Sequence, residues 1–217
     1  MSIIKDDPLK DDPAKKSRID SILQSARKLV EEAGFSNLTM DTIARNAGIA
    51  KGTVYLYFKD KNEVLEKVLE TGFERMFERV SRNVEKEIEP EDKLKTLIYT
   101  NLMYIKENKY FFRTVFLDEV NVIFLRKKSQ ESFNRRRQRY AEFISKIIKQ
   151  GSDAGKFKKI NDQLKLSYFL ISLIKTSAIY NFLNHKGGLF ADMAAGYEER
   201  IKEEAYEIFD MFMNGIT

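Results

Sequence analysis

Lys51, Gly52, Thr53, Tyr55 and Tyr57 occupy one seven-residue stretch, and Lys59 and Lys61 follow directly. Hydroxyls, ammonium groups and a residue without a side chain suit contact with nucleic acid. Thr53 offers a hydroxyl and a methyl, the latter able to meet a thymine methyl. Gly52 lets the backbone approach a phosphate or base edge closely. Tyr55 and Tyr57 carry hydroxyls on stiff stems at phosphate height, and Lys59 and Lys61 neutralise phosphate charge. Exposed aromatics at this density call for a partner.

Other chemistries are short of material. With no cysteine in the chain, disulfides, thiolate nucleophiles and cysteine-ligated metals are excluded. The single histidine, His185, stands beside Lys186 and two glycines, where it reads as a surface or capping residue. Carboxylates are plentiful but fall in no recognisable acid/base or metal-ligand spacing. The expectation is therefore no enzyme, no catalytic residue, no metal and no cofactor.

The candidate contact residues must be held by helices. Ile19, Ile22, Leu23, Ala26, Leu29, Val30 and Ala33 recur at helical spacing, and Gly34 supplies a stop. A second helix opens after Thr39, a good N-cap, with Asp41 at its positive end. It turns Ile43, Ala44 and Ala47 inward and stops at Gly48. A short third helix, about 51–58, follows, anchored by Ile49, Val54 and Phe58. Small alanines at the crossing and a glycine at the turn are what a helix-turn-helix needs. Asp60 and Glu63 make a capping-box pattern for a long fourth helix, 61–89, whose apolar stripe runs from Val64 to Ile88 before Pro90. At 1.5 Å per residue it spans roughly 40 Å, enough to join two bodies.

Further helical stretches are expected near 92–107, 109–126, 129–153, 162–185 and 196–214. No segment alternates as a strand does, so the class is all-α. The expected organisation is a loose Asp-, Lys- and Pro-rich arm over 1–16, a helix-turn-helix DNA-binding domain over 17–62, and a larger ligand-binding and dimerisation domain over 63–217. The N-terminus has no apolar stretch suited to a signal peptide, and a cytoplasmic protein is expected.

The stretch from Arg18 to Glu70 resembles the TetR family of bacterial transcriptional repressors. The resemblance rests on Ile22 and Ala26, Gly34-Phe35, Thr39, Ile43-Ala44, Ala47-Gly48-Ile49, the run Gly52 to Phe58, Lys61 and Leu65. It implies an all-helical chain with an N-terminal DNA-binding domain and a C-terminal domain that dimerises and binds a small effector. It also implies DNA contacts at Thr39, Lys51, Gly52, Thr53, Tyr55, Tyr57 and Lys61. Leu56 departs from the polar or aromatic residue that many members carry there. The turn Ala154-Gly155-Lys156-Phe157 is similar to the family's join between its seventh and eighth helices.

Expected partners are thus a double-stranded, pseudo-palindromic operator, a second copy of the chain and a small hydrophobic effector. Residues 166–183 are apolar nearly all round, with Lys175 as the one charge. A membrane span has this length, yet the central lysine, the hydroxyl residues and the lack of a second span argue for a buried helix and no membrane partner. Phe169 and Leu173 of this helix, with Ile201, Ala205, Ile208 and Phe212 of the last, are the candidate dimer interface. Such a dimer sets two recognition helices about 34–36 Å apart or more. Candidate effector-pocket residues are Tyr104, Phe111, Phe112, Phe116, Phe143, Phe169 and Tyr180.

The net charge of +5 is unevenly spread. Residues 126–149 carry nine basic side chains against two acids, whereas 187–217 carry two against seven. Arg126, Lys127, Lys128, Arg135, Arg136, Arg137 and Arg139 form a candidate cationic mouth. That favours an anionic amphiphile, such as a fatty acid or acyl-coenzyme-A thioester. The alternative is a multidrug-sensing repressor of an efflux system responding to lipophilic cations, held by Asp118 and Glu119.

Overall fold

The structure is a computed structural model. It describes residues 13–109, 111–113, 127–159, 161–184 and 196–214, without the side chains of Ser36 and residues 127–129. Among the described residues the chain is all-α, with eight α-helices, one 3-10 turn and no strand. They divide into two compact units, Met1–Thr71 and Gly72–Thr217.

In the first unit, α1 covers Pro13–Ala33, a 3-10 turn Phe35–Asn37, α2 Met40–Ala47, α3 Lys51–Tyr55, and the first turns of α4 (Lys61–Val84) complete it. Composition assigns 13–16 to the loose arm, but they form the first turn of α1. Pro13 stands where a helix tolerates proline, because that N–H has no intrahelical acceptor anyway. Ile22, Ala26, Val30, Ile43, Val54 and Val64 are fully enclosed. The buried Ser25 hydroxyl donates to the Ile43 carbonyl at 3.0 Å, tying α1 to α2.

Helix α4 ends at Val84 and not at Glu89. Ile88, which the apolar stripe would turn inward, is 84% exposed. Pro90 opens the next helix instead of closing this one: it is at the start of α5 (Pro90–Glu107), with Glu89 as the extended N-cap residue.

The second unit is built around α5, against which pack α6 (Lys127–Asp153), α7 (Gln163–Leu183) and α8 (Tyr197–Met213). Leu94, Leu97, Ile98 and Leu102 of α5 have no exposed surface. Asn101, also buried, donates to the Leu97 carbonyl at 2.7 Å and to the Tyr140 hydroxyl at 2.6 Å. Burial pushes the Tyr140 phenol above its ordinary range. Aromatic rings fill the space between helices edge to face: Phe73 on Phe112 and Phe133, Tyr104 and Phe111 on Phe112, Phe77 on Tyr140 and Phe143.

Helices α7 and α8 use their apolar residues in opposite ways. On α8 the stripe Ile201, Ala205, Ile208 and Phe212 is at most 5% exposed, packed within its own chain. These four are therefore core, and not the free surface that a dimer interface needs. Their period matches one buried face, and that face is taken by α5. On α7 the buried face is Ser167, Leu170, Ile174, Ala178, Asn181 and Phe182. Its opposite face exposes Phe169 at 53%, Tyr180 at 66% and Leu183 at 61%, with Leu173 half-buried beside them. By length and composition α7 is the one described helix able to cross a membrane, with a third of its most apolar window buried.

The turn joining α6 to α7 is tightly fastened. Gly155 has φ +71°, a left-handed conformation that favours glycine. The Phe157 ring, 3% exposed, lies where a Cβ on Gly151 would stand, 2.1 Å from its nearest ring carbons. The Ser152 hydroxyl donates to the Lys158 carbonyl at 3.0 Å.

Candidate nucleic-acid interface

The interface is assembled from the two ends of α2 and from α3. Thr39 caps α2: its hydroxyl accepts the Thr42 N–H at 3.0 Å, and the Thr42 hydroxyl accepts the Thr39 N–H at 2.9 Å. This reciprocal pair leaves Thr39 exposed at a positive helix end. At the other end Gly48 takes φ +66° and ψ +30°, and its N–H returns to Ala44 and Arg45. A side chain would meet no atom within 4 Å there, so backbone conformation selects glycine, not space.

The left-handed turn then sends α3 across α2, with Val54 fully buried, Phe58 6% exposed and Ile49 half-buried as anchors. With those inward, Lys51, Gly52 and Tyr55 are exposed, and Thr53 and Tyr57 half-exposed. Nothing lies within 4 Å of the position of a Cβ on Gly52, so the start of α3 is open to close approach. Helix α3 stops at Tyr55, shorter than the 51–58 that the pattern suggests. Residues 56–57 continue as a turn in which the N–H of Tyr57 and of Phe58 reach the Val54 carbonyl.

Two features escape a reading of the sequence. The Lys51 ammonium is bonded to the Asp41 carboxylate at 3.0 Å, and that hydrogen bond holds it above the usual lysine range. Ten residues separate the pair, so only the helix-turn-helix crossing brings them together. Leu56, 80% exposed, is the most exposed large apolar residue among the described residues of this unit. The α4 cap also differs in detail from a capping box. Asp60 accepts from the N–H groups of Asn62 and Glu63 at 2.9 and 3.1 Å, but Glu63 reaches back to the Lys59 N–H at 2.6 Å, one residue further. Lys61, the first residue of α4, is exposed.

The candidate effector residues are dispersed. Tyr104, Phe111 and Phe112 are buried in mutual ring contacts, and Phe143 packs on Phe77. Phe169 and Tyr180 are exposed on α7 and are not enclosed with them. Phe116, Asp118, Glu119, Arg126 and His185 lie outside the described residues.

The expected cationic mouth is spread around α6 because consecutive residues step by about 100° on a helix. Arg139 binds Glu74 at 3.1 Å and covers the Phe77 ring, Arg137 covers Tyr168, and Arg136 donates to Ser132 at 2.9 Å. A groove of about 200 Å³ lies elsewhere, between α5 and α8, lined by Lys95, Thr96, Tyr99, Lys202, Ala205 and Tyr206.

A helix-turn-helix carrying hydroxyls and cations on its open face defines a DNA-binding class of fold. Comparison with known proteins makes this specific. Residues 22–68 match the family model described as bacterial regulatory proteins of the tetR family, and residues 87–179 that described as the tetracyclin repressor-like C-terminal domain. The chain belongs to the TetR family. Over 54 residues it is 39% identical to an uncharacterized HTH-type transcriptional regulator from Haemophilus influenzae, covering 25% of this chain and 29% of that one. Over 51 residues it is 37% identical to the fatty acid metabolism regulator protein of Bacillus subtilis, covering 24% and 26%. These matches span only about a quarter of each relative's length. Among solved structures, the transcriptional regulator FadR from Bacillus subtilis in complex with stearoyl-CoA has the same fold. Its TM-score is 0.74 at 18% identity, covering 91% of this chain and 99% of that one.

Proposed function

We propose that the chain is a ligand-responsive transcriptional repressor that binds a pseudo-palindromic operator as a cytoplasmic homodimer and is released by an anionic amphiphile, a fatty acid or an acyl-coenzyme-A thioester. The observation that carries the DNA-binding part is the open face of α3, where Lys51, Gly52, Thr53 and Tyr55 project while Val54 and Phe58 are buried beneath them. In the bound state α3 lies in the major groove. Thr53 and Tyr55 meet base edges, and Thr39, Tyr57 and Lys61 meet phosphates. Two copies associate through the outward face of α7, which presents Phe169, Leu173 and Tyr180.

The named regulator of fatty acid metabolism and the stearoyl-CoA complex among the similar proteins support a lipid effector. The effector must bind the DNA-incompetent state more tightly than the competent one. Helix α4 runs from Lys61 to Val84 and supplies residues to both compact units. The test is a fluorescence-anisotropy titration on the DNA upstream of the chain's own gene. Tight, salt-steep and sequence-selective binding that long-chain acyl lipids reverse is the expected result. Equal affinity for random DNA, or no binding, overturns the reading.

A further inference from the structure

Arg200 lies near the start of α8, which packs along α5. Its Nε and Nη2 atoms are buried and have no hydrogen-bond partner. These two nitrogens share one edge of the guanidinium plane. Their N–H bonds run parallel and form the fork that takes two oxygens of a carboxylate or phosphate at once. Folded proteins satisfy nearly all buried polar groups, and a charged donor pair left empty costs more than a neutral one.

Two of the carboxylates that flank Arg200 on α8 have other partners, and Glu203, three residues on, is exposed. Glu204, one turn on, accepts the Ser177 hydroxyl from α7, and Glu199 pairs with Lys202 at 3.2 Å. The neighbouring charge on α5 has the same sign as Arg200. Lys106 is held below the usual lysine range, first by burial and then by the positive charges of Lys109 and Arg200. A desolvated cation whose two-pronged donor edge has no hydrogen-bond partner therefore stands on α8, which packs against α5.

We propose that Arg200 is the anchor for the anionic head group of the effector, taking a pair of carboxylate or phosphate oxygens on its Nε–Nη2 edge, with Lys106 as the flanking cation. The proposal rests on the lipid-responsive reading above and assigns its charge recognition to α8, away from the arginine run of α6. Head group and chain then separate naturally: the fork fixes the anion, and apolar surface within the helical body takes the tail.

The test uses the full chain with fluorescent operator DNA and three probes of one chain length: oleic acid, oleoyl-CoA and the neutral oleyl alcohol. For the wild type, at least one anionic probe should release DNA at a concentration about ten-fold or more below that of the alcohol. Arg200→Met should lose that advantage by roughly ten- to a hundred-fold. Its affinity for operator and its response to the alcohol should stay unchanged. Arg200→Lys, which keeps charge but not the fork, should fall between.

Whether the acid or the thioester benefits separates a carboxylate from a phosphate source. Thermal unfolding gives an independent check: removing an uncompensated buried charge should raise the Tm of ligand-free Arg200→Met. A lowered Tm means the fork is already satisfied within the fold, and overturns the proposal. An Arg200→Met variant that answers the anion as the wild type does also overturns it, while leaving the lipid reading intact. A wild type indifferent to all three lipids overturns both.

Discussion

The α3 region and the outer face of α7 both expose large apolar side chains, and they differ in what surrounds them. Tyr55 and Leu56 are 50% and 80% exposed, with Lys51, Lys59 and Lys61 close in sequence. Phe169, Tyr180 and Leu183 are exposed to a similar degree, but the helix that carries them has only Lys165 and Lys175 as charges. Lys165 itself is drawn over the Phe169 ring at 5.7 Å. Exposed rings amid cations and hydroxyls fit a polyanion, whereas exposed rings on a helix with little charge fit another apolar surface. Exposure alone marks a contact surface, and the charge around it selects the partner.

The strongest way to break this comparison is to put charge on α7. Phe169→Glu should convert dimer to monomer by light scattering at micromolar concentration, because a carboxylate in a closing apolar interface has no partner. With two half-sites no longer held together, operator affinity should fall on the order of a hundred-fold or more. A dimer that survives Phe169→Glu together with Tyr180→Glu removes α7 from the interface.

Next in size are changes on α3. Thr53→Ala and Tyr55→Ala should each cost on the order of 1–3 kcal/mol on operator and much less on random DNA, measured by competition anisotropy. Equal losses on both DNAs would make these residues phosphate contacts only. Lys61→Ala should weaken binding to all sequences alike and lower the slope of log affinity against log salt by about one. The smallest effect is expected for Leu56→Ser. Urea unfolding should shift by less than about 0.5 kcal/mol, since Leu56 contributes little to the core, while operator binding should weaken several-fold.

The two units differ in how much of them the sequence reveals. Around α3 each signal is local: Thr39 and Gly48 bound α2, and Val54 and Phe58 stand three and seven residues from Lys51. Three- and four-residue spacing alone separates inward from outward positions there. In the second unit the helices near 92–107, 129–153, 162–185 and 196–214 are readable in the sequence, while the helix expected over 109–126 lies mostly outside the described residues. Which face each helix buries is not readable. Ile201 and Phe169 both look like interface in the sequence. Only the packing of α8 on α5 makes the first core, and only the partners already taken by Leu170 and Ile174 leave the second outside. Pro90 was legible as a break but not as the start of a helix, because proline serves both roles. Arg200 gives no sequence signal at all, since its state depends on which carboxylates neighbouring helices have already engaged.

The turn between α6 and α7 bears on how the chain reaches this fold. Gly151 and Phe157 are six residues apart, and the ring seats against the glycine of the helix it has just left. Closing so short a loop costs little chain entropy, and the turn's hydrogen bonds and ring contact form without waiting for distant segments. The α6–α7 hairpin is thus expected to form early in folding. Gly151→Ala, which forces the ring out, should slow refolding in stopped-flow experiments by more than it speeds unfolding.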